Sequence, residues 1–315
     1  MKLTDFDIYS NLMKEKSGLV LTEDKVYMLE SRLNPIAKKW GYNSLETMTI
    51  ALQGVPDKNL VTDIVEAMMT SETSFFRDIH PFDTFKDDLL GYMREARGRN
   101  KKLRIWCAAA SSGQEPYSLS MMLKEAEENT PGWNYEILAT DISRDILDQA
   151  RSGLYTQYEV QRGLPIRFLL KYFTQIEAQK WQINQDIKNN IKFQQFNLLD
   201  PMADLGTFDF IFCRNVLSYF DKHDKNAVLN RIVQRLAPDG YLILGQDEGV
   251  EGFCDALVSL PDHEDVFVSK DHPHIKDNKQ SSARSSTQPL KPTTTDSVSS
   301  NRFSFSSQKN SKTKS

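Results

Sequence analysis

Over residues 1 to about 70, apolar positions recur every three or four residues, which predicts a helical bundle. The clearest helix carries Val26, Leu29, Leu33, Ile36 and Trp40 as one apolar stripe. Thr4, Thr22, Ser44 and Asp57 are placed to cap helices. Pro35 falls inside the second helix and is expected to kink or shorten it. From Leu103 the pattern changes to short apolar runs alternating with amphipathic segments, the signature of an α/β, doubly wound sheet. Residues 103–107 read as a buried strand, and Glu115 and Pro116 open a helix with Leu119, Met122 and Leu123 at helical spacing. Residues 135–140 form a strand ending on Asp141, and Ser143 caps the helix that follows. Residues 160–190 break the alternation: 168–173 and 180–183 read as short antiparallel strands inserted into the parallel pattern. Residues 191–196 resume the main sheet. The nearly all-apolar run 208–213 suits a central strand buried on both faces. Residues 228–236 are amphipathic, 238–240 (PDG) read as a turn, and 241–244 as a strand.

The candidate chemistry lies at the strand ends. Residues 108–113 (AAASSG) are all small, as a turn must be where main chain approaches a ligand. With one glycine the turn fails G-x-G-x-x-G, and no lysine follows to make a P-loop. Taken alone, an ordinary strand-to-helix connection explains it equally well. Asp141 lies 28 residues past Gly113, near where doubly wound folds place an acidic residue on ribose hydroxyls. An Asp at a strand end is as often a helix cap. Ala108, Asp141, Asn197 and Asn215 all end strands that converge on one sheet edge, and this series favours a nucleotide-like pocket. Upstream, Phe75 and Phe76 are suited to plug a domain junction. Arg77 is suited either to capping a helix or to holding an anion at the mouth of the turn. Lys25, Arg32 and Lys39 lie seven apart, with Lys38 nearby; they form a solvated face or a contact for an acidic partner.

At 315 residues the chain is long enough for two domains. A formal charge of −4 argues against general nucleic-acid binding. No run of about 18 apolar residues predicts a transmembrane segment, and the polar start lacks a signal-peptide core. Cys107, Cys213 and Cys254 are isolated, so neither a disulfide framework nor a zinc site is expected. The five histidines are scattered, with His272 and His274 at the start of a polar tail. That tail, 271–315, holds eight Lys+Arg against three Asp+Glu, a net of +5 that leaves −9 on residues 1–270. Its composition predicts disorder.

Five motifs in order, 70–77 (TSETSFFR), 113–118 (GQEPYS), 139–142 (ATDI), 197–199 (NLL) and 212–216 (FCRNV), closely resemble the CheR family. These are S-adenosylmethionine-dependent protein-glutamate O-methyltransferases of bacterial chemotaxis, and the resemblance spans about residues 1–270. It implies a helical N-terminal domain (1–70) and a linker with the first catalytic-domain helix (71–101). A class I methyltransferase domain with a Rossmann-like sheet (102–270) follows, carrying a small β insertion at about 168–190. By the same resemblance, Ser71 belongs to the cofactor-binding set, and Thr73 and Arg77 approach the methionine end of S-adenosyl-L-methionine. Glu115 takes its amino group, Asp141 the ribose, Asn197 and Leu198 the adenine, and Asn215 and Val216 the pocket wall. Arg77 and Tyr219 stand beside the reacting carboxylate, and the product is S-adenosyl-L-homocysteine. Ser71 replaces an Asn of many members, and 245–248 (GQDE) replaces a more usual Gly-His-Ser-Glu. The partners implied are the cytoplasmic helices of methyl-accepting chemotaxis receptors, with Lys25, Arg32 and Lys39 as contacts. The short turn between the insertion strands lacks the glycine-rich extension of members that dock on a receptor's C-terminal pentapeptide, so pentapeptide independence is expected. So are a cytoplasmic location at receptor arrays, a monomer and no metal. The competing readings are a small-molecule class I methyltransferase, a non-catalytic cofactor sensor and, weakened by the missing glycine pattern, a nicotinamide-dependent oxidoreductase.

Overall fold

The structure is a computed structural model that describes residues 3–69 and 72–275. Ser71 and the tail from 276 therefore lie outside the described residues.

Four helices come first: α1 (Leu3–Ser17), α2 (Val26–Lys39), α3 (Leu45–Leu52) and α4 (Lys58–Met68). They share a core of their own, in which Tyr9, Met13, Leu29, Leu33, Met48 and Ile64 are fully buried. Ser44 and Thr47 form a reciprocal capping box on α3, and the Asp57 carboxylate accepts the Asn59 N–H at 2.7 Å. Two expected caps differ. Thr4 lies within α1, and Thr22 makes no cap bond to the 3-10 turn that leads into α2. Pro35 does not stop α2, which runs on to Lys39; burial of Leu29, Leu33 and Ala37 along one face holds the helix together.

After the connection come α5 (His80–Thr84), a π-helical turn (Phe85–Leu89) and α6 (Leu90–Ala96). The alternating part follows with β1 (Lys102–Cys107), α7 (Gln114–Asn129), β2 (Asn134–Asp141) and α8 (Arg144–Ser152). Next are β3 (Leu154–Thr156), α9 (Gln157–Gln161), α10 (Ile166–Tyr172), β4 (Phe173–Glu177), β5 (Lys180–Ile183) and α11 (Gln185–Lys188). The main sheet resumes with β6 (Ile191–Gln195), β7 (Phe208–Cys213), α12 (Lys222–Val233), β8 (Leu236–Leu244), β9 (Leu257–Leu260) and β10 (His263–Ser269).

Seven strands form the main sheet in the order β6-β2-β1-β7-β8-β10-β9. The first five are parallel, and β10 runs antiparallel to β8 and β9. Order reverses on either side of β1, which opens a crevice at the carboxyl ends of β1 and β7. β7 is buried at every position, as its apolar run predicts. The fold class is the one expected, a Rossmann-like doubly wound sheet with a small antiparallel insertion after N-terminal helices.

Three local expectations are corrected. The insertion is a three-stranded sheet, β3-β5-β4, and residues 166–172 are helical rather than extended. Pro165 starts that helix, and Phe168, Leu169 and Tyr172 bury one face of it. Residues 238–240 do not end a strand. They bulge from β8, where the register jumps from Phe208 opposite Leu236 to Phe210 opposite Tyr241. The ordered chain also continues past 270. His272 is fully buried against Tyr241, and His274 stacks on Tyr92 with ring centroids 4.9 Å apart.

Candidate active site

The small-residue turn after β1 prolongs the sheet. Ala108 N–H donates to Phe212 O and Ala110 N–H to Thr140 O, each at 2.8 Å. Ser111 then takes a left-handed φ of 49°, held by donation from its N–H to Asp141 Oδ2 at 2.9 Å. Asp141 Oδ1 accepts the Ser143 N–H at 3.0 Å and so fixes the entry to α8. Gly113 sits at φ 95°, and a Cβ there would lie 3.0–3.1 Å from Ala150, Tyr117 and Tyr155. Only glycine meets both demands.

Glu115 occupies the first turn of α7 and is buried. Its Oε2 lies 3.1 Å from Arg214 Nη1. Burial pushes the Glu115 carboxyl above its ordinary value, against the opposing pull of the Arg214 cation. Burial also raises Asp141, against the N–H groups of Ser143 and Ser111 that favour its anion.

Arg214 directly follows β7, and Asn215 comes next in a left-handed φ of 56°. The buried Glu248 carboxylate holds this turn with four main-chain bonds. Oε2 accepts from Asn215 (2.7 Å) and Gly245 (3.0 Å), and Oε1 accepts from Leu217 (2.7 Å) and Ser218 (3.2 Å).

The segment before α5 closes another side. Phe75 is buried edge-on to Tyr155 and Phe173, and Phe76 stacks on Phe168, so the pair packs against the insertion. Arg77, between them and α5, donates through Nη1 to Glu72 O at 2.9 Å.

The N-terminal helices complete the wall. Lys14 pairs with Asp221 at 2.7 Å, Asn197 Nδ2 donates to Lys16 O at 2.7 Å, and Val20 N–H donates to Tyr219 O at 3.1 Å. At Gly18 (φ 74°) the Phe220 ring occupies the space a side chain would need. The result is a cleft of about 1110 Å³, counting its open mouth. Thr73, Arg77, Glu115, Asp141, Asn197, Leu198, Asn215, Val216 and Tyr219 all line it, with Ser17 and Leu19 from the N-terminal side.

Residues 71–263 match the family described as CheR methyltransferase, SAM binding domain. The chain is 40% identical over 262 residues to chemotaxis protein methyltransferase 1 of Pseudomonas aeruginosa, covering 82% of this chain and 92% of that protein. Identity to chemotaxis protein methyltransferase Cher2 of Pseudomonas putida is 38% over 263 residues, with the same coverage. With the chemotaxis protein methyltransferase of Vibrio parahaemolyticus it is 36% over 249 residues, 78% of this chain and 90% of that one. The chain belongs to the CheR methyltransferase family.

The cleft suits the S-adenosylmethionine that a CheR protein binds. Two carboxylates are available to an ammonium and to ribose hydroxyls, and Ile142, Leu198 and Val216 offer apolar wall to a base. Nine of the residues expected at the site thus share one cleft, and Ser71 lies outside the described residues. The basic stripe on α2 is less uniform than its spacing suggests. Arg32 is half-buried and donates to the carbonyls of Met68 (3.0 Å) and Met69 (2.9 Å) at the exit of α4. Lys25 and Lys39 remain half exposed or more, Lys39 beside Asp63 at 2.8 Å. Arg214 and Glu248 were not among the expected site residues. Arg214 had two signals, its place in the 212–216 motif and a charge directly after a nearly all-apolar strand; Glu248 had one, its place in 245–248, which ends in Glu as the family's Gly-His-Ser-Glu does. Among the described residues no helix is long and apolar enough to cross a membrane.

Proposed function

We propose that this CheR protein transfers a methyl group from S-adenosylmethionine to glutamate side chains on the cytoplasmic helices of methyl-accepting chemotaxis receptors. The carrying observation is that Arg77 and Tyr219 share one cleft with two carboxylates, the buried Glu115 and the half-buried Asp141. A cation suited to an incoming carboxylate thus adjoins groups suited to the cofactor. In this reading Glu115 binds the cofactor's ammonium, Asp141 accepts from its ribose hydroxyls, and Leu198 and Val216 pack on its adenine. Asn197 and Asn215 shape the wall, and Thr73 lies toward the methionine end. When bound, the cofactor supplies an electrophilic methyl on a sulfonium. A glutamate with a reference pKa of about 4.3 arrives already as the anion, so the chain need provide no general base. Arg77 orients that anion through the two-pronged guanidinium, which matches two carboxylate oxygens. In this reading Tyr219, which lines the same cleft, stands beside that carboxylate. Alignment of oxygen with methyl and sulfur is the main task, worth several kcal/mol when achieved.

Lys25, just before α2, and Lys39, its last residue, would meet acidic receptor helices, with Arg32 tying α2 to the exit of α4. The β4–β5 connection, only Ala178 and Gln179 between the strands, supports a docking mode without a receptor pentapeptide. The enzyme would then act as a monomer in the cytoplasm beside receptor arrays. The test is transfer of labelled methyl from S-adenosylmethionine into membranes carrying the organism's receptors, followed by mild alkali. Volatile labelled methanol is expected, since a carboxyl methyl ester is alkali-labile; alkali-stable label would overturn the glutamate assignment. Equal methylation of receptors with and without their last residues is the expected result for pentapeptide independence, and a large loss on truncation would refute it.

A further inference from the structure

The segment 76–79 holds an unusual backbone. Phe76, Asp78 and Ile79 all have positive φ, at 49°, 67° and 44°. None is glycine, and for Phe and Ile the left-handed region is disfavoured. Such a run persists only where the surroundings over-determine it. Arg77 sits in the middle of it, so whatever fixes this segment also aims Arg77.

Arg214 is the side chain that does so. Its side chain is 2% exposed and its guanidinium lies 5.5 Å from the Phe82 ring centroid. Nη2 donates at 2.8 Å to both Arg77 O and Asp78 Oδ2. Nη1 donates to Glu115 Oε2 at 3.1 Å. One planar group thus joins the strained segment from which Arg77 projects to the carboxylate at the start of α7. The far side of the segment is pinned by Phe76 N–H donating to Ser118 Oγ at 3.0 Å, also on α7. The Arg214 Nε is buried with no hydrogen-bond partner among the described residues. A buried donor left unmatched is costly, so packing alone does not account for arginine here.

We propose that Arg214 is a positioning residue for methyl transfer, holding Glu115 as the anion that receives the cofactor and holding segment 76–79 so that Arg77 faces the incoming carboxylate. The proposal rests on the reading of Glu115 as the partner of the cofactor's amino group. Two separable functions follow from the geometry. The charge of Arg214 serves Glu115, because a buried carboxyl without its cation keeps its proton. The fork of Arg214 serves Asp78 and the Arg77 carbonyl, because it needs two donors in one plane.

Arg214→Gln and Arg214→Lys separate these functions in the full chain. Cofactor affinity is read by calorimetric titration with S-adenosylhomocysteine from pH 6 to 8.5, and turnover by methyl transfer at saturating S-adenosylmethionine. Arg214→Gln is expected to bind about tenfold or more weakly at pH 6–7 and to recover as the pH rises and Glu115 ionises. Arg214→Lys keeps the charge, so its affinity is expected within about threefold of the parent, while its turnover falls about tenfold or more for want of the fork. An Arg214→Gln affinity that is unchanged, or lowered equally at every pH, overturns the proposal. So does an Arg214→Lys variant that loses affinity and turnover in parallel, or keeps both. Should Arg214→Gln fail to fold, the split in Arg214→Lys decides alone. Absence of binding by the parent protein would overturn the cofactor reading itself, and this proposal with it.

Discussion

Replacing Glu248 by Gln changes one atom and leaves the shape almost untouched, so it isolates the carboxylate's four main-chain bonds. Each oxygen accepts two N–H groups: Oε2 those of Asn215 and Gly245, Oε1 those of Leu217 and Ser218. Whichever oxygen becomes an NH2, two main-chain donors lose their acceptor and face another donor. A donor stripped of its acceptor in a buried place costs about 1–3 kcal/mol, so the sum is about 2–6 kcal/mol. The turn is able to relax partly, since Ser218 is not buried, so about 3 kcal/mol is the expected loss. Adding room for the turn to move does not help. Gly245 already passes so close that a Cβ would lie 2.8–2.9 Å from Asn215 and from Glu248 Oε2. Because Asn215 and Val216 line the cleft, cofactor affinity is expected to fall about tenfold together with stability. Urea unfolding reads the first through a lower midpoint at unchanged slope; calorimetric titration with S-adenosylhomocysteine reads the second. A variant within about 0.5 kcal/mol of the parent, binding within twofold, would refute the assignment of Glu248 as the clamp of the post-β7 turn.

Four further outcomes are expected. Arg77→Ala loses most turnover while cofactor affinity falls less, and unchanged turnover in the methyl-transfer assay would refute its role at the reacting carboxylate. Gly113→Ala forces a Cβ into contacts of 3.0–3.1 Å at φ 95°, and is expected to cost about 2 kcal/mol or more in denaturant unfolding and to weaken the cofactor. Burial raises Glu115 and Asp141 above their ordinary 4.5 and 3.8, so the folded, unliganded protein takes up protons more readily than the unfolded chain. Their protonation favours the empty fold as pH falls, and its stabilising effect is lost as pH rises through the raised values. If Glu115 and Asp141 bind the cofactor as anions, as proposed, S-adenosylhomocysteine affinity should decline as the pH falls, starting above Glu115's ordinary 4.5, and a flat calorimetric profile would contradict it. Charge reversal at Lys25 and Lys39 should slow receptor methylation and leave cofactor affinity unchanged; intact methylation would remove α2 as a receptor contact.

What the sequence makes legible follows from the range over which each feature is determined. The stripe of α2 and the apolar run of β7 are local patterns, and each element forms where its period places it. Residues 166–172 mislead because a short apolar run fits either period. The deciding feature is that Phe168, Leu169 and Tyr172 share a helical face begun by Pro165. The same limit explains 238–240, a turn-forming tripeptide that the long β8 absorbs as a bulge because strands on both sides of it stay paired. Asp141 and Gly113 are legible because strand ends and small-residue turns carry their own signature. Arg32, Arg214 and Glu248 are not, because their partners lie far off in the chain: Arg32 reaches Met68 and Met69, Arg214 reaches Asp78 and Glu115, and Glu248 reaches Asn215 to Ser218. A charged side chain read alone looks like solvated surface. Only the fold shows that these three are buried or half-buried and turned onto main chain. Of the cleft-lining residues, Asp141, Asn197 and Asn215 are visible as strand ends and Thr73, Glu115, Val216 and Tyr219 only through the family resemblance, whereas the groups that hold them in place emerge from long-range pairing.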